Sequence, residues 1–501
     1  MTDRAPAFVS APTPAPDCRC AHGHVPWRSN GYPPEHPNGY LFPFLKSVAA
    51  ALWAAFVILP VCAVAAQEGD SVPDSTSDSS TLDRLTDIAV DGVAAAGLFS
   101  SGVDYAGTGR GRVNWREGYV SLGLSLTRAL SGGGAALYGR VSLLASATDG
   151  EGDAAGFTTG AERTVAHEDA YAGIRLDRLA GGRVTADLSV GSRYFQIGDG
   201  FLVAGDAVNF GDGLGPAFDR GGAYWLGSRR AFRRTAILRL AAGAARMQVF
   251  RIGSATAAQA RMDLGGVNLD YHLKGVGDIG LAWLRVLDVD TGLAPRRRGL
   301  ATYNIRYVGA PLRGLSLRGE LAVQRSSRTD ADSPRVRAFA AYGEVSYRPP
   351  AMALSPEIVY RYSRFSGDDP ATPDTFEGFD PLFYGFTRGY GTWFQGEVAG
   401  NYAGPFNSNA HIHTVRLYIR PHRAIRLGLL GFDFAPRTRA AAFAPAREIN
   451  LTMEWDITER LFLSPVYGLY SPRAASGGSP DAGPDDRRDN HHFQLFAQWR
   501  F

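Results

Sequence analysis

Cysteine is almost missing from this chain. Its three, Cys18, Cys20 and Cys62, all lie near the front, so the long remainder can form no disulfide and offers no thiol nucleophile or thiolate metal site. Lysine is nearly absent as well. Lys46 and Lys274 are the only two among 52 basic residues, so the cations are arginines, which carry a permanent charge and a planar fork suited to carboxylate or sulfate. A net charge of +3 gives no polybasic field of the kind that binds nucleic acid. Past residue 66 no apolar run approaches the roughly 20 residues of a membrane-spanning helix.

The front of the chain has one apolar run. Lys46 precedes Val48 to Leu59, and Pro60-Val61-Cys62-Ala63-Val64-Ala65-Ala66 follows. A basic residue, a short apolar core and small residues make a secretory signal peptide over residues 41–66, with cleavage near Ala66 after Sec-dependent export. Val61 stands where lipidation at Cys62 would need a small residue. Residues 1–40, rich in Pro, Gly and His, read as an unstructured extension, with translation starting near Leu41 as the explanation. Residues 67–87, acidic and Ser-rich, read as a flexible periplasmic leader.

From residue 88 to 501 the chain breaks into short alternating segments between Gly, Asp, Pro and Ser clusters. Val184-Ala186-Leu188-Val190, Tyr303-Ile305-Tyr307, Leu315-Leu317-Gly319-Leu321-Val323, Val415-Leu417-Ile419 and Ile449-Leu451-Met453-Trp455 each fall on one strand face, with mostly polar partners on the other. At the far end Phe493, Leu495, Ala497, Trp499 and Phe501 do the same against Gln494, Gln498 and Arg500. Alternation alone fits a soluble sandwich equally well. Combined with a signal peptide, no cysteine and an aromatic last residue, it points to an all-β, antiparallel transmembrane barrel in the bacterial outer membrane. The 435 residues left of 501 after cleavage at residue 66, at about 24 to 27 per strand and connection, favour 18 strands, with 16 as the alternative. Gly198–Arg220, Ser366–Gly391 and Ala474–Asn490 read as long loops, some folding into the lumen. A barrel of this size is expected to leave an aqueous channel.

Two segments carry more than turn chemistry. Val190-Gly191-Ser192-Arg193-Tyr194-Phe195-Gln196-Ile197-Gly198-Asp199-Gly200-Phe201-Leu202-Val203 continues to Gly215-Pro216-Ala217-Phe218-Asp219-Arg220. Phe379-Asp380-Pro381-Leu382-Phe383-Tyr384-Gly385 continues to Trp393-Phe394-Gln395-Gly396-Glu397. Together they resemble the alginate-export family of outer-membrane porins, over about residues 88–501. The first departs from the family pattern at Ser192, before Arg193-Tyr194, and lacks a Trp after Asp206. The resemblance implies a monomeric 18-stranded barrel with an arginine-rich constriction, through which a polyanionic polysaccharide such as alginate diffuses outward. A periplasmic export scaffold is an implied partner. The barrel-assembly machinery, recognising the end at Phe501, and outer-membrane lipid are the others expected.

From the residues themselves, the candidates for the pathway are arginines on polar strand faces: Arg175, Arg193, Arg239, Arg306, Arg318, Arg361, Arg416, Arg420 and Arg426. A charge facing lipid at mid-membrane costs about 2–4 kcal/mol, so these should point inward or sit at the boundary. Inward, they either attract carboxylates by charge and paired hydrogen bonds or brace the wall in inter-strand ion pairs. Glu320, Glu357, Glu448, Glu454 and Asp187 lie in comparable segments and would temper anion binding so that a conduit can release its cargo. His411, His413, His491 and His492 lack the partners of a metal site and read as boundary or loop residues. No nucleophile motif, cofactor loop or calcium loop is complete, so an enzyme is not expected. The expected function is passive, anion-selective passage of an acidic polysaccharide or oligosaccharide. A porin for small sugar or aromatic acids is the alternative, and a barrel-borne adhesin or hydrolase the reading of another class.

Overall fold

The structure, a computed structural model, describes residues 86–130, 134–326, 334–385, 395–438, 443–473 and 488–501. The signal peptide and residues 67–85 of the expected 67–87 leader lie outside the described residues, as do Trp393, Phe394 and most of the Ala474–Asn490 loop, while Thr86 and Asp87 already belong to the first strand.

Eighteen strands form one closed antiparallel sheet. They are β1 (Thr86–Ser101), β2 (Val113–Ala129), β3 (Ala135–Gly150), β4 (Arg163–Leu179), β5 (Val184–Arg193) and β6 (Phe232–Ala242). Next come β7 (Ala245–Gly253), β8 (Asp263–Leu273), β9 (Gly277–Asp288), β10 (Ala301–Leu312), β11 (Leu315–Ser326) and β12 (Arg335–Tyr347). The last are β13 (Glu357–Phe365), β14 (Ala410–His422), β15 (Ile425–Pro436), β16 (Ala446–Asp456), β17 (Leu461–Pro472) and β18 (Asn490–Arg500). Each pairs with its neighbours in chain order. A two-residue strand, Thr375–Phe376, pairs parallel with the start of β12 and stands outside the barrel count. The count is the larger of the two expected from chain length.

Closure is made by β1 against β18, from Val93 opposite Arg500 to Ser101 opposite His492. One residue further, Gly92 and Phe501 exchange both backbone hydrogen bonds, at 2.9 and 3.0 Å. The Phe501 ring lies over Gly92, where a Cβ would stand 2.0 Å from the ring, so this position accepts no side chain without moving the aromatic.

The two faces are inverted relative to a soluble protein. Val90, Leu143, Val165 (72 % exposed) and Ile449 face outward, while Glu448, His492, Gln494 and Arg416 (1 % exposed) face inward. An apolar exterior and a polar interior are what hydrocarbon outside and a lumen inside select. Connections alternate short and long. Two-residue turns such as Arg313-Gly314 and Arg423-Ala424 sit at one end, and the 194–231 and 366–409 connections at the other. In such barrels short turns mark the periplasmic side and long loops the outer one. Among the described residues no helix is long and apolar enough to cross a membrane.

The lumen differs from the open aqueous channel expected for this size. The 194–231 connection and the described parts of the 366–409 connection, residues 366–385 and 395–409, fold inward and carry Phe195, Phe201, Trp225, Phe379, Phe383 and Tyr402, all buried. They form two apolar clusters with inward side chains of the wall, Phe250, Ile252, Leu284, Phe432 and Phe434 in one and Phe99 and Trp115 in the other. Both connections are long and rich in aromatics. Burying those rings supplies the free energy that holds a loop inside, at about 1.5–3 kcal/mol for each side chain fully removed from water.

Candidate lumen site

Wall carboxylates fix the two inward connections by taking pairs of consecutive backbone N–H groups. Glu117 on β2 accepts from Trp225 at 3.1 Å and Leu226 at 2.9 Å. Glu448 on β16 accepts from Val398 at 3.0 Å and Ala399 at 2.8 Å. Glu168 on β4 accepts from Arg230 at 2.5 Å and Ala231 at 2.6 Å. A carboxylate with two N–H donors is a charge-assisted clamp, and it satisfies amides that a buried loop would otherwise leave without partners. Gln324 makes a neutral version with Asp380, donating to its carbonyl at 2.7 Å and accepting from its N–H at 2.9 Å. The Asp380 carboxylate in turn holds the guanidinium of Arg297 at 2.6 and 2.9 Å.

The connections are also tied to each other. Ala204 donates to the Phe383 carbonyl at 2.8 Å, and Phe383 to that of Leu202 at 3.0 Å. Gly385 donates to Gly200 at 3.0 Å. These contacts run through the two segments that carry the family resemblance.

Below the plug, on the short-turn side of β2 to β6, lies a cavity of about 420 Å³ lined by Thr127, Ala136, Tyr138, Arg175, Asp187, Arg193 and Arg239. Three of the nine sequence-derived arginines meet here, with one carboxylate in the lining. Arg175 and Asp187 are directly opposite across β4 and β5, and Asp187 and Arg239 across β5 and β6. Arg239 pairs with Asp187 at 3.2 Å, and Arg175 with Asp177 at 3.1 Å. Arg193 has a different setting. It donates to Ser189 Oγ at 2.8 Å and Tyr138 Oη at 3.3 Å, and its guanidinium lies 4.4 Å from the Tyr171 ring centroid. Among the described residues no carboxylate is ion-paired with it. The Tyr138 ring can lie flat because it crosses Gly173, where a Cβ would come within 2.3 Å of it. The register slips between Gly191 and Arg193 on β5, and this irregularity occurs where the strand gives way to the inward connection.

The other candidates are placed differently. Glu344, on β12, lies between Arg361, whose Nε is 2.9 Å away, and Arg416, and all three are almost without water contact. Arg361 also lies 4.5 Å from the Tyr342 ring centroid. Arg306, directly opposite Glu320, pairs with Asp270 and donates to Asn268 at 2.6 Å. Glu320 accepts from Asn304 at 2.9 Å. Arg426 is shared by Glu454 at 3.3 Å and Glu357 at 3.8 Å, over the Tyr418 ring. These four arginines brace the wall in ion pairs. Arg318 faces the lumen opposite Glu344 in register and makes no ion pair among the described residues, and Arg420 sits exposed near the short-turn end of β14. Glu448, expected to temper anion binding, has both carboxylate oxygens on backbone amides of the 366–409 connection.

His411, His413 and His491 are strand residues on the outer face, not loop residues. Each is hydrogen-bonded to a tyrosine of the preceding strand, Tyr362 at 2.6 Å, Tyr360 at 2.9 Å and Tyr467 at 2.7 Å. His492 is buried inside beside Gln494.

Glu117, Glu168, Glu344 and Trp225 were not singled out in the sequence. The available signal was a lone glutamate among apolar inward neighbours, as in Trp115-Arg116-Glu117, which has no stable place in a lumen unless something comes to meet it.

No family model and no curated protein matches this sequence. Solved structures do resemble it in fold. OccAB4 of Acinetobacter baumannii is 10% identical, with 84% of this chain and 99% of that one covered at a TM-score of 0.53. The outer membrane protein OpdK of Pseudomonas aeruginosa is 12% identical, over 83% and 98%, at 0.53. OccK7 (OpdD) of the same organism is 10% identical, over 83% and 99%, at 0.50. At such identities the likeness is one of fold: a closed 18-stranded barrel of the outer-membrane porin type.

Proposed function

We propose that this chain is an outer-membrane channel for passive passage of carboxylated solutes, with Arg175, Arg193 and Arg239 as the anion-attracting step of the path. The observation that carries this reading is the cavity they share. Three permanent cations and one lining carboxylate, gathered around one open cavity, attract an anion into the lumen, and Asp187 competes for Arg239 so that it can leave. Arg193 is the primary contact, since its charge has no carboxylate partner and its fork matches a carboxylate.

The cavity volume falls within the range of sites for single small ligands, which favours sugar acids or aromatic acids as cargo. The second reading, an acidic polysaccharide such as alginate, is supported by the sequence resemblance of the two inward connections. Planar-bilayer recording separates them. Glucuronate or benzoate should block the current at millimolar concentration if monomers are the cargo. Block by oligouronates with monomers inert would favour the polymer, and a current indifferent to both would remove the reading. Export through Sec with cleavage near Ala66 belongs to the same proposal and is tested by N-terminal sequencing of the mature protein.

A further inference from the structure

The outer face of β9 to β15 carries a set of arginines that the lumen does not use. Arg285 on β9, Arg325 on β11 and Arg337 on β12 point outward near the long-loop ends of their strands, and all three are exposed. Arg364 and Arg437 join them beside the outward Phe339, at 5.1 and 5.8 Å from its ring centroid. None of the five makes an ion pair among the described residues. Outward arginines elsewhere on this rim do: Arg234 and Arg251 share Asp263, and Arg447 and Arg473 share Asp433.

Three observations indicate that an anion belongs here. Arg325 and Arg337 are directly opposite in register, a like-charge cross-strand pair that is unfavourable when left alone. Arg285 lies opposite Ala301, and Ala301 lies opposite Arg325, so only a methyl group stands between these two arginine positions along the row. Burial and the neighbouring Arg364 also lower the Arg437 pKa from its ordinary value, so the crowding of positive charge has a cost there.

The depth of the set identifies the partner. One step along each strand toward the short turns, Trp283, Tyr303, Val323 and Phe339 form the next outward row, aligned in register. Aromatic rows of this kind sit at the lipid–water boundary. The arginines beyond it therefore stand at headgroup level. We infer that they form a docking face for a phosphate-bearing lipid headgroup of the outer leaflet, whose phosphates the guanidinium forks take in paired hydrogen bonds. The inference rests on the barrel lying in a membrane and is independent of what passes through it.

The test uses the full-length protein purified in a non-ionic detergent, with binding of bisphosphorylated lipid A, dephosphorylated lipid A and inorganic phosphate read by native mass spectrometry. Bisphosphorylated lipid should bind at least about tenfold more tightly than the dephosphorylated form. The triple variant Arg285→Gln, Arg325→Gln, Arg337→Gln should abolish that preference while bilayer conductance stays unchanged. Heat-modifiable gel mobility reports whether the variant has closed its barrel. If it has not, the single variant Arg285→Gln carries the test and should lose part of the preference. Equal binding of both lipids, an unchanged preference in the variants, or inorganic phosphate binding as well as the lipid would each overturn the inference.

Discussion

The indole N–H of Trp225 donates to the carboxylate of Glu397 at 3.1 Å, joining the two inward connections through buried side chains. Gln494 on β18 donates to the same oxygen at 2.9 Å, so this contact also ties both connections to the closing strand. What narrows the lumen is thus a pair of loops locked to each other and to the wall. Trp225→Ala removes the indole and its ring contacts with Phe99 and Phe496. Truncating a buried Trp costs about 3–5 kcal/mol, enough to undock a loop without opening the sheet. The expected result is larger and noisier current steps from a protein whose gel mobility is unchanged. Glu117→Gln and Glu448→Gln should act in the same direction.

Glu344 is the shared counter-charge of Arg361 and Arg416, and none of the three meets solvent appreciably. Glu344→Gln leaves two buried guanidiniums with no carboxylate between them. Removing one partner of such a network typically costs about 3–5 kcal/mol. The urea midpoint of the refolded barrel should fall accordingly. A midpoint within error of the parent would mean that water reaches these two guanidinium groups and replaces the carboxylate.

Asp153, in the 151–162 connection, is fully enclosed and accepts hydrogen bonds from Thr158 N at 2.6 Å, Thr158 Oγ at 2.8 Å and Ala155 N at 2.9 Å. Burial outweighs these donors and raises its pKa to about 6 from 3.8. The folded connection therefore holds the proton more tightly than the unfolded chain does. The stabilisation is fully present below about pH 3.8 and is lost as pH rises through about 6. Protease cleavage within 151–162 should become faster from pH 4 to pH 7, and Asp153→Asn should flatten that dependence.

Arg193 stacks on Tyr171 and has no carboxylate partner among the described residues, in contrast to Arg239 on Asp187. Arg193→Ala should lower the chloride-over-potassium permeability ratio by roughly twofold, and Arg239→Ala by less, because its charge is already half cancelled. Arg416→Ala should leave the ratio unchanged if it closes its barrel, since that guanidinium is buried against Glu344.

The wall could be read from the sequence because a strand's two-residue period records which side meets lipid. Ile449-Leu451-Met453 against Glu448-Asn450-Thr452 needs no partner to be interpreted. The long connections were located from their Gly and Asp content, but not what they do. Their burial depends on Glu117 meeting Trp225 across 108 residues and Glu448 meeting Val398 across 50, pairings that no local pattern encodes. The arginines fall between these cases. Alternation placed them on the lumen face. Which of them brace the wall and which line space depends on the residue one strand away. Arg361 finds Glu344 there, whereas Arg193 finds Tyr171 and Tyr138.

The central claim is that Arg175, Arg193 and Arg239 make the lumen anion-attracting. Reversal potential across a planar bilayer under a tenfold potassium chloride gradient tests it most directly. The wild-type channel should reverse toward the chloride equilibrium potential, and the triple variant Arg175→Ala, Arg193→Ala, Arg239→Ala should move substantially toward zero or beyond. A wild-type channel that prefers potassium, or a reversal potential the triple variant leaves in place, would contradict it.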